Sequence, residues 1–246
     1  MSRKRPYCVS IAGFDPSGGA GLTADCKVFE QLHVQGLSVL TANTIQTEDQ
    51  YFDTHWMDPK QVTDQLTVLL QRYPVRYFKI GLIENAEVLL AVLHIIHTNV
   101  ENPFIIWDPI LKPTAGGDLS VDRFSEKLSE LLHMISCITP NLPEYQLLFG
   151  EQRPETTATT VKMLYLKGGH ASSPGKDFLY TEGKCYPFNA HSIPKTGKHG
   201  TGCVLSAALL AHFALDYPLV KACLKSKRYI EYYLQSNETL LGYHSR

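Results

Sequence analysis

The chain has 246 residues, 44% of them hydrophobic, with 23 basic and 24 acidic side chains. This length and apolar content supply the core of one α/β domain, so we expect residues 1–246 to form a single domain. Because the charges nearly balance and neither sign forms a long run, the composition excludes a surface adapted to nucleic acid or to an anionic membrane, and a small molecule is the expected partner.

Short apolar runs alternate with helical patterns along the chain. The runs predicted as strands end in Gly, Pro or Asp and cover residues 7–13, 76–82, 103–109, 134–140 and 162–169. Helical spacing occupies residues 21–34, 59–73 and 85–98, and two more helices are expected over about 200–214 and 218–235. A hairpin is predicted for 177–181 and 184–188, and the threonine-rich stretch 151–162 is predicted to be a surface connection without chemistry. Most strands lack strict polar alternation, which indicates a doubly wound α/β fold with a mostly parallel central sheet and helices on both faces.

Ligands of such sheets collect at the carboxyl ends of the strands. The first candidate place is "AGFDPSGGAGLTAD", residues 12–25, where glycines let the backbone approach a ligand and Asp25 can accept hydrogen bonds from it. A tight strand-to-helix turn without a ligand explains the same residues. The glycine spacing is not that of a dinucleotide fingerprint or a P-loop.

Three oxygen-bearing side chains follow two later strands. Asp108 ends "WDPIL", while Asn141 and Glu144 lie three apart in "TPNLPEYQLL". Such groups suit a hydrated magnesium ion that is held through few carboxylates and through substrate phosphates. Glu144 has a second explanation, as an acid in the first turn of a helix.

The stretch "HGTGCVLSAA" places Gly200, Thr201 and Gly202 before an apolar helix. Unpaired N–H groups at that helix start predict an anion site, and the same helix end is expected to lower the pKa of Cys203 so that the thiol can act as a base. Cysteine is also a common small apolar filler, so both interpretations of Cys203 remain open at this point.

The six cysteines are scattered and no two are spaced as zinc ligands, which favours a reducing cytoplasm. The basic N-terminus meets glycines before an apolar region forms, and no stretch is long enough to cross a bilayer. We therefore expect a cytoplasmic protein without a signal peptide or a membrane anchor.

Together these motifs resemble the hydroxymethylpyrimidine and phosphomethylpyrimidine kinases of thiamin synthesis, in the ribokinase superfamily. "SIAGFDPSGGAGLTADCKVFEQL", "DPIL", "ITPNLPE", "LKGGH" and "HGTGCVLSAA" follow the order and spacing of that family over residues 8–214. The resemblance implies a ribokinase-like fold, ATP and Mg²⁺ as cofactors, a pyrimidine substrate and a homodimer.

The resemblance also implies roles for individual residues. Those expected to bind the pyrimidine are Gly13, Asp25 and Gln46. Those expected near the nucleotide phosphates are Asp108, Asn141, Glu144 and Lys167, with Asn141 and Glu144 also near magnesium through water or phosphates. The anion hole is expected to be Gly200, Thr201 and Gly202, with Cys203 as the base that takes the proton of the substrate hydroxymethyl.

Several places differ from the family pattern. Thr47-Glu48 follow Gln46 where Asn-Thr is usual, Lys198 stands where threonine is common, and the loop after Asp108 is atypical. The 150–162 connection is short, which predicts a reduced wall on the adenine side.

Three other functions fit part of the sequence. A pyridoxal or pyridoxine kinase would share the ring and its hydroxymethyl arm, and some relatives of that kind carry cysteine in the same turn. A pyrimidine-binding regulator with weak catalysis would not need the phosphate end. A redox sensor based on Cys203 would need a resolving cysteine, and no other cysteine is near it in the sequence.

Overall fold

The computed structural model describes residues 4–111, 122–168, 175–191 and 197–244. Its strands are β1 Tyr7–Phe14, β2 Gln35–Gln46, β3 Tyr51–Trp56, β4 Tyr77–Ile80, β5 Phe104–Trp107, β6 Cys137–Ile138, β7 Leu164–Leu166, β8 Asp177–Thr181 and β9 Lys184–Phe188. Its helices are α1 Gly21–Gln31, α2 Pro59–Arg72, α3 Ala86–Asn99, α4 Asp122–Ser125, α5 Leu128–Met134, α6 Leu142–Phe149, α7 Pro154–Thr157, α8 Thr201–Ala214 and α9 Leu219–Gln235.

Within these described ranges, the nine strands form one sheet in the order β3-β2-β1-β4-β5-β6-β7-β8-β9. The strands from β2 across to β7 pair in parallel, and antiparallel pairs occur at the two edges, β2 with β3 at one and β7–β8–β9 at the other. The prediction of a mostly parallel sheet is confirmed.

Alternate side chains of the central strands enter two separate apolar cores. In β5, Ile105 and Trp107 pack in the core that α2, α3 and α5 cover, whereas Ile106 packs in the core that α1, α8 and α9 cover. Successive residues of a strand point to opposite faces, so a run buried on both faces needs no polar alternation. The predicted helix layers on both faces are therefore confirmed.

The strand predictions missed the β2–β3 hairpin and overestimated the strand over 134–140. β2 and β3 form an antiparallel edge, and β3 has no buried residue that would mark it as an apolar run. Strand β6 retains only Cys137–Ile138. The short β6 is sufficient to carry the chain across the sheet to the turn before α6.

The connection 151–162 is not the plain surface stretch that its threonines predict. It contains α7, and Thr157 is buried with its hydroxyl 2.6 Å from the hydroxyl of Tyr145. One of the threonines is thus a core contact.

Two predicted features fall largely outside the described residues: the loop after Asp108 beyond Leu111, and Gly169 and His170 of "LKGGH". Among the helices that are described, none combines the length and apolar character needed to span a bilayer.

Candidate active site

The carboxyl ends of the parallel strands meet at one edge of the sheet. Gly13 lies at the end of β1, Asp108 directly follows β5, and Lys167 directly follows β7 and pairs with Asn141 as an isolated bridge. Helix α8 begins at the same edge, because a Cβ added at Gly202 would lie 3.1 Å from the Lys167 ammonium. Side chains that are far apart in the sequence are therefore brought together.

Lys167 and Asp108 form a buried ion pair at the centre of this edge. The Lys167 Nζ lies 2.7 Å from Asp108 Oδ1 and 3.6 Å from Glu144 Oε2. Ser206 donates to Asp108 Oδ2 at 2.9 Å, and Thr139 donates to Oδ1 at 3.1 Å. The carboxylate is thus held by three donors, which is how a buried charge is stabilised.

The ionisation of this pair follows from its partners. Burial alone would raise the pKa of Asp108, but the Lys167 and Lys79 charges and two hydrogen bonds keep it below its ordinary value. Burial alone would lower the pKa of Lys167, but Asp108 and Glu144 raise it. Lys167 is therefore a fixed positive charge at neutral pH.

Asn141 and Glu144 form the capping box of α6. The Asn141 side chain accepts from the Glu144 N–H at 2.9 Å, and Glu144 Oε2 accepts from the Asn141 N–H at 2.7 Å. Glu144 is thus an acid in the first turn of α6, as its second explanation predicts, and the box also turns its carboxylate toward Lys167. Burial raises the pKa of Glu144, although Lys167 opposes this shift.

We call residues 199–203 the second glycine turn. Gly200 has φ +69°, and a side chain there would collide with the carbonyl oxygen of Gly19. The turn opens α8, whose first N–H groups have no partner within the helix. Since the Lys167 ammonium lies beside those N–H groups, this spot attracts an anion from two directions.

Cys203 is buried at the start of α8, with 6% of its surface exposed. Burial raises the pKa of its thiol to about 11, although the Lys79 charge and a hydrogen bond with the Gly21 backbone lower it. The prediction that this pKa is lowered is therefore wrong for the structure, because desolvation outweighs the Lys79 charge and the Gly21 hydrogen bond.

Asp25 is fully buried rather than exposed to a ligand. Lys79 Nζ lies 2.7 Å from each of its oxygens, and Ser10 donates to Oδ2 at 2.5 Å. The carboxylate already has internal partners, so a direct hydrogen bond to a substrate would need one of them to move. Lys79 could not be recognised from the sequence as a site residue, because its position inside β4 marks it only as an interruption of an apolar run.

Gln46 ends β2 next to the end of β1. Its amide donates to Thr44 Oγ1 at 2.9 Å, and Thr44 donates to the Phe14 carbonyl at 2.8 Å. At Gly13 a Cβ would lie 2.8 Å from Leu82 Cδ2, so a side chain there would require the Leu82 side chain to shift. Gln46 and Gly13 thus border the same end of β1, as a shared binding role requires.

We call residues 15–21 the first glycine turn, and Asp15 organises it. The Asp15 carboxylate accepts from the backbone N–H groups of Ser17 at 2.9 Å and Ala20 at 2.8 Å, and lies 2.9 Å from His199 Nε2. Burial alone would raise the pKa of Asp15, but these hydrogen bonds hold it below its ordinary value. The pairing of Asp15 with His199 could not be predicted from the sequence, since 184 positions separate the two residues.

Lys198 is directed away from the expected anion site at the start of α8. Its ammonium is bound by the side chain and carbonyl of Asn237 at 2.7 and 2.6 Å and by the carbonyl of Thr239. The His199 N–H donates to the Leu240 carbonyl at 2.9 Å. The unusual lysine therefore fastens residues 237–240 to the second glycine turn.

A mostly parallel sheet, a lysine–carboxylate cluster at its carboxyl edge and a glycine turn that opens a helix define a kinase of the ribokinase-like class. The family model described as phosphomethylpyrimidine kinase matches residues 15–245. The chain belongs to this family.

Individual relatives agree with that assignment. The hydroxymethylpyrimidine/phosphomethylpyrimidine kinase of Aquifex aeolicus (strain VF5) is 31% identical over 94% of this chain and 95% of its own length. The crystal structure of phosphomethylpyrimidine kinase from Clostridium difficile 630 has 28% identity and a TM-score of 0.76, covering 92% of this chain and 98% of its own. The ADP complex of Staphylococcus aureus pyridoxal kinase has a TM-score of 0.85 over 98% of this chain and 94% of its own, but at 23% identity it shows the fold alone.

Proposed function

We propose that this protein transfers the γ-phosphoryl group of ATP to the hydroxymethyl group of 4-amino-5-hydroxymethyl-2-methylpyrimidine, and also phosphorylates the resulting monophosphate. The observation that carries the proposal is the position of the Lys167 ammonium beside the N-terminus of α8 and beside Cys203. Family membership supports the pyrimidine as acceptor. We also propose that the protein is cytoplasmic and that it forms a homodimer. Sedimentation of the purified protein tests the dimer.

Phosphoryl transfer needs alignment and charge neutralisation more than covalent chemistry. The N–H groups of Gly200, Thr201 and Gly202 and the Lys167 ammonium would bind the transferring phosphoryl oxygens. The Asp108 carboxylate holds that ammonium 2.7 Å away and fixes its position. The same residues that bind the phosphate therefore also align it.

Glu144 fits a magnesium ion better than Asn141 does. Its Oε2 is used in the capping box, which leaves Oε1 as the carboxylate oxygen that can turn to a ligand. The Asn141 side-chain oxygen caps α6. Magnesium, when bound with ATP, would neutralise phosphate charge, and Glu144 would hold it directly or through water. No group of three His, Cys, Asp or Glu side chains suited to a metal occurs among the described residues.

Cys203 would take the proton of the hydroxymethyl group as its oxygen attacks the γ-phosphorus. The thiolate is the form that accepts a proton, and burial makes it scarce at neutral pH. A loose transition state moves that proton late, so a small thiolate fraction can sustain turnover.

The test is ADP release with magnesium-ATP, comparing the pyrimidine and pyridoxal as acceptors. We expect turnover on the pyrimidine, and about a hundredfold loss in Cys203→Ala. Cys223→Ala is the matched control, because Cys223 is equally buried but lies on α9. A preference for pyridoxal would assign the protein to vitamin B6 phosphorylation, and binding without turnover would favour a regulator.

A further inference from the structure

The contact between the two glycine turns affects more than the binding of each substrate by itself. Gly200 leaves no room for a Cβ because of the Gly19 carbonyl, and a Cβ on Gly19 would lie 2.6 Å from the His199 ring. The first turn borders the expected pyrimidine site and the second forms the expected phosphate site. Their separation therefore sets how the hydroxymethyl oxygen meets the γ-phosphorus.

The 2.9 Å hydrogen bond between His199 Nε2 and Asp15 Oδ2 joins these turns side chain to side chain, in addition to the hydrogen bond of the Cys203 thiol with the Gly21 backbone. Both side chains are almost completely buried, at 3% and 1% exposure. The backbone of His199 is fixed independently, since its N–H donates to Leu240 and its carbonyl accepts from the Tyr233 hydroxyl at 3.2 Å. The imidazole is thus held at its base while its far nitrogen reaches across to the first turn.

The other ring nitrogen of His199 shows that this arrangement does not serve stability alone. Nδ1 is buried, and among the buried side-chain N and O atoms of the described residues it is the one left without a hydrogen bond. A buried polar atom without a partner costs about 1–3 kcal/mol. The Asp15 bond gains a comparable amount, so the imidazole adds little net stability.

We infer that Asp15 and His199 are positioning residues that fix the distance between the pyrimidine site and the phosphate site. The inference rests on the proposed function for its meaning in catalysis. Asp15 orders its own turn through Ser17 and Ala20, and His199 transmits that position to the turn that opens α8. Neither side chain touches the reacting atoms in this scheme.

The chemistry of the ring suggests matched variants. Glutamine places its amide N–H about where Nε2 stands, whereas asparagine matches only Nδ1, and phenylalanine keeps the ring shape without either nitrogen. His199→Gln therefore keeps the bond to Asp15, and His199→Asn and His199→Phe remove it. His212→Phe is the control, because it changes a buried histidine in the last turn of α8, the helix that the second glycine turn opens.

The first measurement is amide hydrogen exchange of residues 15–20 in the ligand-free protein. We expect exchange to rise about tenfold in His199→Phe and His199→Asn, and to stay near the native rate in His199→Gln and His212→Phe. Unchanged exchange in both His199→Phe and His199→Asn would overturn the inference, whatever the substrate is.

The second measurement is kcat beside the separate dissociation constants of ADP and of the pyrimidine. A displacement of about 1 Å can cost about a hundredfold in rate, so kcat should fall about 10–100-fold in the Phe and Asn variants while each dissociation constant changes less than about threefold. His199→Gln should retain most of the native kcat. The inference would be contradicted if kcat fell as far in His199→Gln as in His199→Phe, or if kcat in the variants only followed the fraction of folded protein. An inactive native protein would instead contradict the proposed function.

Discussion

Burial decides the protonation of Cys203 at the residue scale. The thiol has two favourable neighbours, Lys79 and the Gly21 backbone, yet its pKa rises to about 11. A thiol in this state reacts slowly with electrophiles at neutral pH, which argues against the redox-sensor interpretation. The function of the Cys203 thiol must therefore depend on the groups that it contacts inside the site.

The raised pKa predicts the pH dependence of turnover. A group with pKa about 11 is protonated below that value, so the thiolate fraction rises about tenfold per pH unit. We expect log kcat of the native protein to rise with a slope near one from about pH 6.5 to about pH 9, and to be flat in Cys203→Ser. A flat profile for the native protein would show that the thiol does not act as the base.

Which site residues could be predicted depended on where they stand in the sequence. Asp108 and Lys167 follow buried strands, and the convergence of parallel strand ends brings them together. Lys79 could not be predicted in the same way, because it lies inside β4 rather than after its end, and a lysine inside a strand carries no signature of its own. The Cys203 pKa was mispredicted because desolvation depends on the whole fold.

At the scale of elements, the second glycine turn depends on two separate demands on Gly200. Its φ is +69°, and its position against Gly19 excludes a Cβ. Gly183 in the β8–β9 hairpin has the same φ of +69° but nothing within 4 Å of a Cβ. Comparing the two glycines therefore distinguishes the cost of the left-handed backbone from the cost of the close contact.

Gly183→Ala should therefore lower the free energy of unfolding by about 1 kcal/mol, through the left-handed backbone alone. Gly200→Ala should lower it by about 3 kcal/mol or more, since the collision with Gly19 adds to the strain. Urea unfolding of both variants measures the difference. Equal losses would mean that the two turns separate freely.

The short helix α7 provides a second comparison between matched residues. Thr157 is buried against the Tyr145 hydroxyl, whereas Thr159 is exposed and donates to the Thr156 carbonyl. We expect Thr157→Val to lower the free energy of unfolding by about 1 kcal/mol and Thr159→Val by less than about 0.5 kcal/mol. If both variants unfold at the same urea concentration, this connection is not part of the core.

Element types were predicted well where the pattern was long. The helices near 21–34, 59–73 and 85–98 were found because their apolar spacing repeats over several turns, while β3 was missed because an edge strand with exposed side chains has no such pattern. The role of Thr157 was hidden for a related reason. The four threonines in residues 156–160 cannot be told apart from the sequence, and only the contact with Tyr145 distinguishes Thr157 from the others.

At the scale of the whole molecule, His244 makes stability depend on pH. Burial, together with the Lys27 charge, lowers its pKa to about 4, and its ring packs on Tyr233 with centroids 4.8 Å apart. A lowered pKa means that the unfolded chain binds the proton more tightly. The stabilisation is therefore complete above about pH 6.5 and is lost as the pH falls toward about 4.

Because the imidazole is only partly buried, we expect a loss of about 1–2 kcal/mol over that range. His244→Phe keeps an aromatic ring without a titrating group, so its free energy of unfolding should fall less between about pH 6.5 and about pH 4.5 than that of the native protein. Parallel urea titrations at the two pH values provide the comparison. An equal fall in both proteins would assign the acid sensitivity to other groups.

The long sequence separation between Asp15 and His199 also affects how the chain folds during its synthesis. The two partners lie 184 positions apart, and the turn that carries His199 is closed by Leu240 beyond α9. Contacts of such long sequence separation are slow to form, because closing a long loop costs conformational entropy before the contact forms. A nascent chain emerging from the ribosome can build β1 and α1 early, but it acquires a site only after residue 240 has left the exit tunnel. Substrate binding thus reports on the completed fold, and a bound pyrimidine or nucleotide can stabilise only chains that have finished folding.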